Sequence, residues 1–396
     1  MRLKLLAILA LPLILQGCAL PYPAASDGLG YKAADERLPF GARTTPMLLR
    51  EQRICAAEGE DDPGYDLPLL SPGDRLAVSL DDGAEFEGTY AVGIDGYLRL
   101  PYLSPVRVRG LDVETARQRL WERFVEEKVL VETGPEIGMV PILWAAVNVN
   151  VVGAVYSPGP VVINDRTNVE IRPDFLPESG DLASDRFVSA ALRAAGGVRP
   201  DADLSNAVLI RDGKRFPLDL VPMLEGGNVR QRAMLEGDII EVPSVGLFQE
   251  PLARPSAITA PGHRVFLSNL TIPAPSNAQS AIGNESTSLP TGSRLSHALT
   301  SANCIGGIHL TNAPRSALLV SRNPVTNEIT SHLYRVYDVT RNADDTRHNP
   351  YIMPNDAIAC FDSRNTQIRD FGKTVLDVAL PIEVLRRVER GGIIYD

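Results

Sequence analysis

The chain repeats itself, and that repetition limits its fold more than any other feature. Phe187-Val188-Ser189-Ala190-Ala191-Leu192-Arg193-Ala194-Ala195-Gly196-Gly197 reads as a short helix stopped by glycines, the residues that most easily take the left-handed cap conformation. Ala207–Ile210 and Phe216–Leu220 follow as strands around an Asp212-Gly213 turn, and Leu235–Pro243 closes the block with Gly237-Asp238 and a strand. The same order returns downstream. Leu295–Leu299 and Ile305-Gly306-Gly307 match the helix and its stop, Ala317–Val320 and Leu333–Val339 match the two strands, and Met353–Cys360 matches the closing turn and strand, with Asn355-Asp356 in place of Gly237-Asp238. A block repeated at this length is one supersecondary unit used twice, so two small α+β domains in series are expected. The first opens on VNVNVVGAVYSPGPVVI from Val147, alternating as a half-buried strand does, with Gly153 and a Pro158-Gly159 turn. Asn164–Arg186 shows no core pattern, and Pro273–Arg294 reads as a long polar loop.

Upstream, Tyr65–Asp112 carries dense turn chemistry. Pro72-Gly73-Asp74 fixes one φ, permits a positive one and supplies a side chain that can bond nearby backbone. Leu76, Val78 and Leu80 then alternate as one face of a strand. Tyr90–Val92 reads as a second strand, Asp95-Gly96 as a hairpin turn, and Tyr97, Leu98 and Leu100 as the returning strand, broken at Pro101. Val106 and Val108 resume the pairing. Val113–Val131 is expected as a helix capped by Asp112, with Leu111, Ala116, Leu120, Phe124 and Val125 on its buried face.

The ends carry different signals. Arg2 and Lys4 precede an apolar run, Leu5–Leu15, of the length of a secretory h-region, and Leu15-Gln16-Gly17-Cys18 resembles a bacterial lipobox with Cys18 as the lipidated residue. Ala19 rather than Asp after that cysteine implies the outer membrane. Four cysteines are present; with Cys18 used for lipid and Cys55 expected free, Cys304 and Cys360 are the candidate disulfide pair, two buried thiols being the alternative. At the other end Phe371, Val375, Val378, Ile382 and Leu385 form one helical stripe, with Leu376, Leu380 and Val384 roughly opposite and Asp377 and Glu383 between. A helix over 371–388 is ~27 Å long, near the thickness of a thin bilayer. The two carboxylates and Pro381 equally suit an amphipathic segment packed on its own domain or a partner.

Catalytic chemistry finds little support. There is no phosphate-loop, dinucleotide, HExxH or GxSxG motif, and the five histidines include no pair at metal-ligand spacing, so no enzyme, metal or cofactor is expected. A formal charge of −10 argues against nucleic acid as a partner, since phosphate neutralisation needs clustered Lys and Arg.

In order and spacing, Tyr65-Asp66-Leu67, Pro72-Gly73-Asp74-Arg75-Leu76, Gly88-Thr89-Tyr90, Asp95-Gly96-Tyr97-Leu98-Arg99-Leu100-Pro101 and Gly110-Leu111 resemble the export domain of the outer-membrane polysaccharide export lipoproteins. Gly153, Pro158, Gly159, Gly196, Gly197, Gly237 and Asp238, with Gly306, Gly307 and Asp356 in the second copy, resemble that family's soluble-ligand-binding β-grasp (SLBB) motifs. The resemblance implies a signal peptide at 1–17, a lipid-anchored extended lead at 18–63, an export domain at 64–146, β-grasp domains at 147–250 and 251–363, and an amphipathic helix and tail at 364–396. The implied fold is α+β: a small antiparallel β/α domain, two β-grasp-like domains and the helix. The implied protein is a homo-oligomeric ring in the outer membrane, mostly periplasmic, carrying capsular or exopolysaccharide. Its partners would be an inner-membrane copolymerase or tyrosine autokinase, outer-membrane lipid and, where the tail makes no pore, a separate β-barrel.

Overall fold

The computed structural model describes residues 38–49, 67–80, 83–130, 137–165, 181–224, 231–269, 288–305 and 315–361. The fold is mixed α+β. Cys18, Cys55, Gly306, Gly307 and the Phe371–Leu385 stripe lie outside these residues.

The upstream stretch builds a three-stranded antiparallel sheet, order β2-β1-β5, from β1 (Arg75–Leu80), β2 (Gly88–Ala91) and β5 (Ile137–Leu143). The alternation in β1 does what its period requires: Leu76, Val78 and Leu80 are buried under α1 (Val113–Glu126). Ala116, Leu120 and Phe124 recur every four residues and form the helix's buried stripe, and Phe124 meets Phe86 edge-to-face at 4.9 Å. Asp112 caps the helix by accepting from the Thr115 amide at 2.9 Å. The helix ends at Glu126, short of the expected Val131, because Lys128 takes φ +60° and the Val129 and Leu130 amides both fold back onto the Phe124 carbonyl.

The hairpin expected across Asp95-Gly96 does not form a ladder between its flanks. β2 pairs with β1, and β3 (Tyr97–Leu98) pairs instead with β4 (Val106–Arg107). The Gly96 amide bonds the Gly93 carbonyl and the Gly93 amide bonds that of Tyr97, so a tight turn swings the chain off the first sheet. Turn chemistry fixed the turn but not the strand that would use it.

The repeat is visible in strand order. The first unit runs β7-β6-β10-β8-β9, from β6 (Val147–Gly153), β7 (Gly159–Ile163), β8 (Ala207–Arg211), β9 (Lys214–Leu218) and β10 (Ile239–Val242), with α2 (Val188–Ala194) on its inner face. β10 is parallel to β6 and antiparallel to β8. The second unit runs β12-β16-β14-β15, from β12 (Phe266–Asn269), β14 (Ser316–Arg322), β15 (Ile329–Arg335) and β16 (Ala357–Phe361), with α3 (Leu295–Ser301) inside. Here too the closing strand lies between the opening strand, parallel, and the third, antiparallel. The opening strand is broken at Val265: its first part, β11 (Gly262–Arg264), pairs with β13 (Ser288–Pro290), which stands where β7 stands in the first copy.

Three further expectations change. Leu333–Val339 is not one strand; β15 stops at Arg335 and α4 (Val336–Arg341) begins, with Val336 and Val339 buried. The stretch 164–186, expected to lack a core pattern, contains the fully buried Arg186 and the buried Ala183. Part of the expected extended lead packs: Phe40 stacks edge-to-face on Phe248 at 5.2 Å, and the Tyr351 amide donates to the Gly41 carbonyl at 3.1 Å, so 38–49 bridges the end of the first unit and the second. Cys304 and Cys360, both fully buried, are joined by a disulfide tying the residue beyond α3 to the core face of β16.

Candidate functional site at three acidic turns

The sequence motifs converge on one device used three times. In Ser71-Pro72-Gly73-Asp74, Leu235-Glu236-Gly237-Asp238 and Met353-Pro354-Asn355-Asp356, the aspartate's carboxylate accepts from the amide three residues earlier, at 2.7, 2.8 and 2.8 Å. Its own amide donates back to that residue's carbonyl, at 3.2, 3.2 and 3.1 Å. The residue before each aspartate has positive φ, +91° at Gly73, +86° at Gly237 and +67° at Asn355, which explains two glycines and an asparagine there. Each turn opens a strand, β1, β10 or β16. All three aspartates are almost fully buried.

A buried carboxylate needs a partner, and the three differ in what they have. Asp74 receives both its oxygens' bonds from Arg186 Nη1, at 2.7 and 2.8 Å, and a further bond from the Ala145 amide at 2.8 Å. The Arg186 guanidinium also lies over the Trp144 ring, 5.2 Å from its centroid. Burial pushes the Asp74 carboxyl above its ordinary value, opposed by Arg186 and the two amides. Asp238 is gripped by Arg211 through Nε at 3.0 Å and Nη2 at 2.6 Å, and Nη2 also reaches the Ala233 carbonyl at 2.6 Å. Among the described residues Asp356 has no arginine partner. Ser321 holds in β14 the place that Arg211 holds in β8, since Ala317 and Ala207 begin matching registers. Asp356 Oδ1, Ser321 Oγ and the Tyr334 hydroxyl are buried and meet no hydrogen-bond partner among the described residues. Burial raises the Asp356 carboxyl to about 7; the Met353 amide and the nearby Ser321 hydroxyl only moderate this.

The first two turns touch. The Glu236 amide donates to Ser71 Oγ at 3.0 Å, Arg109 pairs with Asp212 at 2.9 Å and reaches the Glu236 carbonyl at 3.2 Å, and Leu69 packs with Ala233 and Leu235. The buried Asp74–Arg186 pair, two stacked turns and an apolar patch thus join the first domain to the next unit. The third turn meets the first unit at Tyr156, whose hydroxyl lies 3.5 Å from Met353 Sδ, and at Phe248, which shares an apolar cluster with Met353.

Residues 63–137 match the family model described as polysaccharide biosynthesis/export protein. The chain carries a polysaccharide-export domain. The matched region takes in the first acidic turn, the Asp95–Pro101 motif and α1, the parts that pack as one core. Within this export domain Asp95 pairs with Arg99, which holds its carboxyl down at about 2, and Gly96 sits at φ +80° under the Arg109 side chain. Leu100 is buried while Pro101 is exposed. Ile94 and Tyr102, 95% and 84% exposed, flank this motif on the export domain's surface.

The remaining motif glycines serve backbone approach. A Cβ on Gly153 would stand 2.0 Å from the Val242 carbonyl oxygen, and one on Gly197 2.6 Å from the Ala260 amide nitrogen, both at positive φ. Gly196 follows α2 with φ +78°, and Pro158-Gly159 leads into β7. These residues are not brought together; they shape separate joints. Among the described residues no group of His, Cys, Asp and Glu is placed to hold a metal, and no helix is long and apolar enough to cross a membrane. Arg186, Arg211 and Ser321 went unmarked in the sequence. Arg211 was legible, ending a strand one turn away from an aspartate at matching register; Arg186, 112 residues from Asp74, was not.

Proposed function

We propose that the chain is an outer-membrane lipoprotein that oligomerises into a ring and forms a conduit for capsular or exopolysaccharide through the periplasm. The observation that carries this reading is an export domain followed by two units of the same strand order, the arrangement expected of an export domain and two SLBB-type β-grasp domains at 147–250 and 251–363. Cys18 would carry the lipid, and an inner-membrane copolymerase or tyrosine autokinase would feed polymer to the export domain. The role asked of the protein is binding and positioning, with no catalytic step. Export-domain turns around Ile94 and Tyr102 are candidates for lumen or subunit contacts, because large apolar groups left this exposed suit an interface.

Imaging single particles of the detergent-extracted full chain tests it: closed rings are expected, and a monodisperse monomer together with unchanged surface polysaccharide on gene deletion refutes the conduit.

A second reading is an adaptor that hands polymer to a separate outer-membrane β-barrel. It is favoured by Asp377, Pro381 and Glu383, which suit a lone membrane span poorly. Deleting residues from Phe371 onward tests it: intact export with a copurifying barrel supports the adaptor and refutes a span made by the tail.

A further inference from the structure

The second unit's sheet has an outer face unlike its counterpart. Opposite the core, Phe266 on β12, Ala357, Ala359 and Phe361 on β16, Leu318 and Val320 on β14, and Ile329 and Leu333 on β15 share one side, as the registers require. Phe266, Ile329 and Leu333 are 54%, 61% and 61% exposed. In the first unit the corresponding face is mixed, with Val152, Val208, Ile210 and Ile239 interrupted by polar groups. Glu241 pairs with Arg215 at 2.7 Å across it, and Asn150 stands beside Ile239. Matching the registers puts Ala359 where Glu241 is, Ser331 where Arg215 is, Phe266 where Asn150 is and Leu333 where Pro217 is. In the second copy the charged pair and the amide are gone, and apolar side chains hold three of the four places. A face altered in this direction is made to be covered.

We propose that the chain's own C-terminal segment, 371–388, covers this face by its Phe371, Val375, Val378, Ile382 and Leu385 stripe. β16 is one of the sheet's two inner strands and the last described element, so the chain beyond it starts at the end of the face. The tether 362–370 can span up to ~30 Å, and the face is about 15 Å across and ~23 Å along its longest strands, so Phe371 can reach any part of it. A helical 371–388 is ~27 Å long, matching the strands. Arg322 and Arg335 stand at opposite ends of the face, and Asp377 and Glu383 flank the tail's stripe. A tethered segment also faces an effective concentration in the millimolar range, which favours it over a second copy. Pro381 bends such a segment, and a twisted sheet accommodates a bend that a straight span does not. The inference rests on the sheet and the chain's continuity, not on the export reading.

The test uses the full chain in detergent, with Cys55→Ser to remove a competing thiol and with Leu333→Cys and Val378→Cys. A short bis-maleimide should link the two cysteines within one chain, identified by mass, and co-expressed chains carrying one cysteine each should give no link. As a check that needs no cross-linker, amide exchange around Val378 should be slowed in the wild-type chain and should speed up about tenfold or more in Leu333→Asp, whose site is exposed and leaves the core intact. Links only between chains would assign the face to a second copy and overturn the proposal. Absence of any link, or exchange around Val378 indifferent to Leu333→Asp, would overturn it as well, whether or not rings form.

Discussion

Asp356 should make the second unit lose stability as pH rises toward neutrality, and Asp356→Asn should abolish that loss. In the fold the carboxyl is held near 7 by burial, against an ordinary value near 3.8. Among the described residues the groups that face it offer no compensating cation: Tyr334 and Tyr156 are both raised further by its charge, Ser321 is neutral, and Met353 supplies only an amide. The folded chain therefore binds this proton more tightly than the unfolded chain. Stability contributed by the protonated form is fully present below about pH 4, declines between about 4 and 7, and is gone above 7. A carboxyl held there carries a charged-state penalty of about 4 kcal/mol. Asparagine keeps an oxygen for the Met353 amide and offers an NH2 to the Ser321 and Tyr334 oxygens, so the variant should match wild type below pH 4, exceed it by about 1.6 kcal/mol at pH 5 and by about 4 kcal/mol at pH 8.

The assay must look at the second unit alone. The two tryptophans, Trp121 and Trp144, lie in and beside the export domain's core, so fluorescence would report the wrong part. Amide exchange of β16 peptides, corrected for intrinsic rates and compared at pH 5 and 8, reports the local opening free energy directly. β10 peptides supply the internal control, because Asp238 has the same turn and an arginine. Equal opening free energies for β16 at both pH values, or a slope that survives Asp356→Asn, would falsify the argument from the missing arginine.

Arg186→Met leaves Asp74 buried without its cation and should cost about 3–5 kcal/mol, read from a urea midpoint by Trp144 fluorescence, with Asp74→Asn in the same chain recovering much of the loss. Gly153→Ala forces a Cβ to 2.0 Å from the Val242 carbonyl at φ +92° and should destabilise the first unit by about 3 kcal/mol or more in thermal melts followed by circular dichroism. Reducing Cys304–Cys360 reopens a loop closed over a separation of 56 residues and should lower the second unit's stability by ~4 kcal/mol on the chain-entropy estimate, with faster exchange in β14 and β16 and none in β1.

What the sequence conveyed was local. Period-2 alternation placed β1 and β6, Asp112 marked the start of α1, and the repeated helix, glycine and turn order foretold two units with one strand order. Partner choice was not local. Asp95-Gly96 promised a hairpin, but β2 found β1, because Leu76 and Val78 offered it a strand over the main core while Tyr97 and Leu98 had β4. Arg186 sat in a stretch without periodicity because its role is set by one distant carboxylate rather than by a face, and no window of neighbouring residues carries that information. The break at Val265 and the helix opening at Val336 were hidden for a related reason, since both are places where the second copy departs from the first and the repeat itself argues the other way.

The same comparison between copies says where this chain is stiff. A turn that opens a strand changes stability with pH if its buried carboxylate can gain or lose a charge, and is a fixed corner if an arginine holds that charge in place. Asp74 and Asp238 are fixed corners, and they lie against each other through Ser71 and Glu236, so the export domain and the first unit should move as one body. Asp356 is the corner without an arginine among the described residues, and the second unit meets the first at Tyr156, through Glu250, which accepts from the Tyr351 hydroxyl at 2.9 Å, through Phe248 against Tyr351 and through the bridging 38–49 segment. If subunits assemble through the export domain, a rigid first joint holds the ring's geometry. Ser321 stands where the first copy has Arg211, so the third turn alone should follow pH, and its effect is open to measurement one proton at a time.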